Sequence, residues 1–109
     1  MEDAAHACLR PLLGRPATPA QATAVAQSYL AEWNTGVHYP AGMARTVETL
    51  RTRYRLAVVS NTHDAALVPA HLAAMGISDC FDAVITSIEV GWRKPDPRIY
   101  TVALTRLGI

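Results

Sequence analysis

Two short apolar runs, Leu56–Val59 and Ala83–Thr86, constrain what this chain can fold into. Each is too short for a buried helix and shows no alternation of polar and apolar positions. Each therefore predicts a strand covered on both faces, as in a parallel sheet. The segments around them carry helical signals. Met43, Val47, Leu50 and Tyr54 mark one face before the first run. Pro69 opens a helix between the runs, which reaches Met75 and stops at Gly76. Asp96-Pro97 caps and starts a last helix with Ile99, Val102, Ala103 and Leu107 on one face, ended by Gly108. Helix, strand, helix, strand, helix is the order of βαβ units, and the fold class is α/β with a parallel sheet.

The N-terminal third is all helical by pattern. Residues 4–13 are weakly helical up to Gly14. Thr18-Pro19-Ala20-Gln21 combines a cap, a proline at the first helical position and a capping-box glutamine. Ala22, Val25, Ala26, Tyr29, Leu30 and Trp33 follow at three- and four-residue steps, which assigns Tyr29 and Trp33 to core packing. Asn34-Thr35-Gly36 ends the stripe, and His38-Tyr39-Pro40 is extended, as a residue before proline prefers.

Length and charge narrow the function. The chain has 109 residues and a net charge of +1, enough for one modest core and too balanced for a strongly basic nucleic-acid binder. No apolar run approaches the roughly 20 residues of a membrane span, and the start, Met1-Glu2-Asp3, has no secretory pattern, so a cytoplasmic protein is expected. Cys8 and Cys80 are too few for a disulfide framework or metal cluster and read as buried small hydrophobes. His6, His38 and His71 lack metal-ligand spacing. Arg51, Arg53 and Arg55 read as a solvated helix end.

Chemistry concentrates after the two strands. In open α/β sheets, ligands bind at the carboxyl ends of the strands. Ser60 and Asn61 follow the first run, and a hydroxyl with free backbone N–H groups there can hold an anion. Lys94 is the one lysine among 10 basic residues and sits in Gly91-Trp92-Arg93-Lys94-Pro95-Asp96-Pro97, where two prolines frame it. A lysine so placed is a compact positive charge for a phosphate or carboxylate. Ser60, His63 and Asp64 do not make a hydrolytic triad, because triad members converge from separate elements. They read as a polar strand-to-helix turn.

Val58-Val59-Ser60-Asn61-Thr62, Met75-Gly76-Ile77, Cys80-Phe81-Asp82-Ala83-Val84-Ile85, Glu89-Val90-Gly91 and Arg93-Lys94-Pro95-Asp96-Pro97-Arg98-Ile99-Tyr100 together resemble the haloacid dehalogenase-like (HAD) hydrolases, in the phosphatase and dehalogenase branch with a small helical cap. The resemblance implies that residues 1–39 are a remnant of the helical cap and residues 40–109 part of the Rossmann-like core. It implies that Ser60 binds the transferred phosphoryl group, that Asn61 adds a backbone N–H, and that Lys94 neutralises charge on nucleophile and phosphoryl. It implies Mg²⁺ and a small phosphorylated substrate for the parent enzyme, working through an aspartyl-phosphate.

Two motifs of that family are missing. No Asp-x-Asp and no Gly-Asp occurs in the chain, so neither the nucleophile and acid nor the metal-holding carboxylates are in it. The expectation is a fragment of a hydrolase, inactive by itself, with no metal ligands. Its two strands would leave an open sheet edge and wet apolar faces, favouring self-association. The rival readings are a carbon–halogen hydrolase, a non-catalytic protein that binds an anion or completes another chain's sheet, and a small helical interaction domain.

Overall fold

The computed structural model describes residues 1–109, which divide into two compact units, Met1–His38 and Tyr39–Ile109.

The first unit is a helix pair, α1 (Glu2–Leu13) and α2 (Pro19–Thr35). The capping box forms as the sequence predicts. Gln21 N donates to Thr18 Oγ1 at 3.2 Å, and Thr18 N donates to Gln21 Oε1 at 3.0 Å. The seam between the helices is made of small residues, Ala5, Ala22 and Ala26, with Met1 packed beside them. Thr23 Oγ1 donates across it to Glu2 Oε1 at 2.9 Å. The apolar stripe of α2 does not all go inside. Ala22 and Ala26 are buried, whereas Tyr29 and Trp33 are 58% and 50% exposed. The reason is that α1 is the one helix that α2 packs against in this unit, and an alanine seam covers only a narrow strip. Cys8 is likewise exposed rather than buried, while Cys80 is buried as expected.

The second unit is a three-layer α/β/α arrangement around a parallel two-strand sheet. Its elements are α3 (Met43–Arg51), β1 (Ala57–Ser60), α4 (Leu67–Ala74), a 3-10 turn (Ser78–Cys80), β2 (Ala83–Thr86), α5 (Ser87–Val90) and α6 (Pro97–Arg106). The strands pair in register, Ala57 beside Ala83 through to Ser60 beside Thr86. Successive side chains of a strand point to opposite faces. Val58 and Val84 therefore join Val47, Leu72, Ile77 and Cys80 on one side. Ala57, Val59, Ala83 and Ile85 join Ile99 and Ala103 on the other. Ile77, Ile85 and Ile99 are the largest fully buried side chains.

Several sequence expectations shift. The first strand starts and ends one residue later than the apolar run, so Ser60 is its last residue. Its four residues are only half-buried, against three fully buried positions in β2. With β1 bonded to β2 alone, its other flank has no neighbouring strand. Helices of the chain pack on both faces of the sheet, and they cover β2 more fully than β1. Within the face of α3, Val47 alone is buried, and Tyr54 lies beyond the helix end at 61% exposure. Ser87–Val90 is a single helical turn directly after β2, which Gly91 ends with φ 77°, a left-handed conformation that glycine adopts without strain. Pro69 falls in the first turn of α4, where its missing N–H costs nothing.

Long side chains tie the layers together. Arg55 donates to the Leu107 carbonyl at the end of α6, so it serves a different helix from the one whose terminus it follows. Asp82 closes the start of the sheet. Its Oδ2 accepts from Leu56 N at 2.9 Å and its N donates to Leu56 O at 2.8 Å. Arg106 reaches the Val84 carbonyl of β2 at 3.4 Å and pairs with Glu89 at 2.9 Å. A charged side chain on a strand in this way discourages further pairing there.

Candidate functional site

The in-register pairing of Ser60 with Thr86 brings the carboxyl ends of both strands to one edge of the sheet. The loops leaving that edge carry Ser60-Asn61-Thr62 and Gly91–Asp96. Both are held together by side chains that grip backbone. The Asn61 carboxamide takes both polar groups of the Lys94 backbone. Lys94 N donates to Asn61 Oδ1 at 2.7 Å, and Asn61 Nδ2 donates to Lys94 O at 3.0 Å. A reciprocal clasp runs the other way. Thr62 N donates to Ser87 Oγ at 3.0 Å, and Ser87 Oγ donates to Thr62 O at 3.1 Å. Two hydrogen bonds thus fix the Ser60 loop to the Lys94 loop, and two more fix it to Ser87 at the start of α5.

Lys94 is half-buried, and its ammonium takes no part in the Arg98–Asp96 or Arg106–Glu89 ion pairs. The Lys94–Pro95 peptide is cis. The Asn61 side chain engages the lysine backbone and so shapes the loop, a contact separate from the backbone N–H that the resemblance implies for a ligand. Ser87 carried no such expectation, because a serine after a strand reads as an ordinary cap. The turn after Asn61 is local, as expected. Asp64 N donates to Thr62 Oγ1 at 3.1 Å and Ala66 N to Asp64 Oδ1 at 2.8 Å.

The far side of the lysine loop is braced by Asp96, Arg98 and Trp92. Asp96 caps α6 by accepting from Arg98 N at 2.9 Å. The Arg98 guanidinium meets the same carboxylate through Nε at 2.9 Å and through its terminal nitrogen at 2.5 Å. It also lies 3.3 Å from the Trp92 ring centroid, a cation–π contact. The Arg98 hydrogen bonds hold the Asp96 carboxyl down at about 2, from an ordinary 3.8. A depressed carboxyl contributes stability above its unfolded value and loses it as pH falls through the folded one. Asp96→Asn should therefore melt below the wild type at pH 5, and the gap should close as pH falls from about 4 to about 2. Thermal denaturation across that range checks it, and a constant gap contradicts the role of the carboxylate.

The site does not hold the donors a Mg²⁺ ion needs. No three His, Cys, Asp or Glu side chains come together where they could hold an ion. Asp64, Asp82 and Asp96 each accept from a backbone N–H, of Ala66, Leu56 and Arg98.

A family model for haloacid dehalogenase-like hydrolases matches residues 12–109. The human haloacid dehalogenase-like hydrolase domain-containing protein 3 is 47% identical over 64 residues, 58% of this chain and 25% of that protein. Phosphoserine phosphatase of Thermus thermophilus is 32% identical over 91 residues, 84% of this chain and 36% of that protein. (S)-2-haloacid dehalogenase 4A of Burkholderia cepacia is 37% identical over 67 residues, 61% of this chain and 29% of that protein. The chain spans about a quarter to a third of the length of these relatives. A strand pair that delivers Ser60 and Lys94 to one sheet edge, and a family match over nearly the whole sequence, lead to one conclusion: this chain belongs to the haloacid dehalogenase-like hydrolases.

Proposed function

We propose that Ser60 and Lys94 form the phosphoryl-binding half of a hydrolase acting on a small phosphorylated metabolite. The observation that supports it is the grip of Asn61 on the Lys94 backbone, which fixes the lysine loop against the loop that follows Ser60. In this reading the Ser60 hydroxyl donates to a phosphoryl oxygen and the Lys94 ammonium balances its negative charge. Both act by position and electrostatics, which is most of what phosphoryl transfer asks of a protein. Asn61 acts one step removed, by holding Lys94. In the parent protein the nucleophile is an aspartate and Mg²⁺ is held by carboxylates, neither of which this chain contributes. Residues 1–39 would then belong to its helical cap and residues 40–109 to its core. The free flank of β1 is where a further strand would add, from the parent or from a second copy of the chain.

The relative that is a haloacid dehalogenase favours one second reading, an aspartate-based carbon–halogen hydrolysis with the same Lys94. Phosphate separates the two. Inorganic phosphate titrated into the chain, followed by backbone amide shifts, should perturb Asn61, Thr62 and Lys94. Lys94→Ala should weaken binding at least tenfold, since a hydrogen bond to a charged group is worth about 1.5–3 kcal/mol. Asn61→Ala should weaken it severalfold, because the lysine is retained but its loop loses the clasp. Phosphate affinity indifferent to Ser60→Ala and Lys94→Ala would overturn the proposal.

A further inference from the structure

Beside the Ser60 and Lys94 loops lies a half-open cavity of about 210 Å³. Asn61, Thr62 and His63 wall it from one loop, Trp92 and Arg93 from the other, and Ile88 from α5. It shares its chain with the phosphoryl-binding residues. Asn61 directly follows Ser60, and Arg93 directly precedes Lys94.

The chemistry of the lining is one-sided. No carboxylate faces the cavity, while Arg93 brings a full positive charge and His63 an imidazole. Arg93 is the one arginine that lines this cavity, and its guanidinium is not engaged as those of Arg98, Arg106 and Arg55 are. Arg98 is paired with Asp96 and stacked on Trp92, Arg106 is paired with Glu89, and Arg55 is bonded to the Leu107 carbonyl. The Arg93 guanidinium has no such partner in the chain. An unpaired planar guanidinium at the wall of a cavity suits a carboxylate, which it can meet with two parallel hydrogen bonds. Ile88 and Trp92 supply an apolar surface for a carbon stem, and the stacked Arg98 fixes the ring in place. The volume is below the roughly 300–1,000 Å³ of pockets for drug-sized ligands, so the occupant is compact.

We infer that this cavity is a second subsite, in which Arg93 receives the carboxylate of a small phosphorylated acid whose phosphoryl group lies at Ser60 and Lys94. The inference rests on the phosphoryl-binding reading of those two residues. It makes Arg93 a specificity residue, with Trp92 the wall against which the carbon stem lies.

The test compares phosphoglycolate, ethyl phosphate and inorganic phosphate as ligands of the full chain, read by amide and indole N–H shifts. Phosphoglycolate should bind at least tenfold more tightly than ethyl phosphate and should move the Trp92 indole signal. Arg93→Gln should reduce that preference to near unity, whereas Arg51→Gln, which removes an exposed charge from α3, should preserve it. If Lys94→Ala weakens all three ligands but phosphoglycolate shows no preference over ethyl phosphate, the phosphoryl reading stands and this inference falls. If none of the three responds to Lys94→Ala, the phosphoryl reading itself falls. An unmoved Trp92 indole at saturating phosphoglycolate, or an unchanged preference in Arg93→Gln, also overturns the subsite.

Discussion

Ile99→Ala should destabilise the Tyr39–Ile109 unit by about 2–5 kcal/mol, the range for deleting most of a buried branched side chain. Ile99 is fully buried and packs with Ala83, Ile85 and Ala103 under one face of the sheet. The alanines around it are small and cannot collapse far into the space it leaves. Stability in globular proteins runs at about 0.05–0.15 kcal/mol per residue, so this loss is a large share of what so short a unit has. Urea denaturation followed by circular dichroism measures it. Leu104→Ala is the control, because Leu104 is on the same helix and 48% exposed. It should change stability by no more than about 0.5 kcal/mol. Equal effects from the two substitutions would mean that the sheet face does not carry the fold of this unit.

The second large effect is an absence of turnover. With Mg²⁺ and an aryl phosphate, the 109-residue chain should hydrolyse no faster than its Ser60→Ala and Lys94→Ala variants. Phosphoryl transfer through an enzyme intermediate needs a nucleophile, and no Asp-x-Asp is present to supply one. Ser60 and Lys94 can lower the energy of a transferring phosphoryl group only when something attacks it. Removing a member of a catalytic unit that acts together commonly costs several orders of magnitude, and the others do not make it up. Phosphate binding without turnover is therefore the expected pair of results. Wild-type turnover well above both variants would show that the chain carries a nucleophile of its own.

Much of the local structure was legible because it depends on neighbours in sequence. The capping box at Thr18 and Gln21 and the Asp96-Pro97 helix start are matters of a few adjacent residues, and both formed as predicted. The parallel pairing of the two strands followed from their continuous apolar character and the helical spacer between them. The family was legible for a similar reason, since its signature around Lys94 is a contiguous run of residues.

What the sequence could not determine was how far each apolar side chain is covered, and which polar side chains meet across the fold. The stripe of α2 has the right periodicity for a core, yet burial depends on how many elements pack on it, and one alanine seam leaves Tyr29 and Trp33 exposed. The clasp between Asn61 and Lys94 joins residues 33 positions apart, and Arg55 reaches a carbonyl 52 positions away. Sequence periodicity reports which face of an element is apolar. Only the tertiary structure decides what stands opposite that face, and it alone turned a generic asparagine into the brace of the lysine loop.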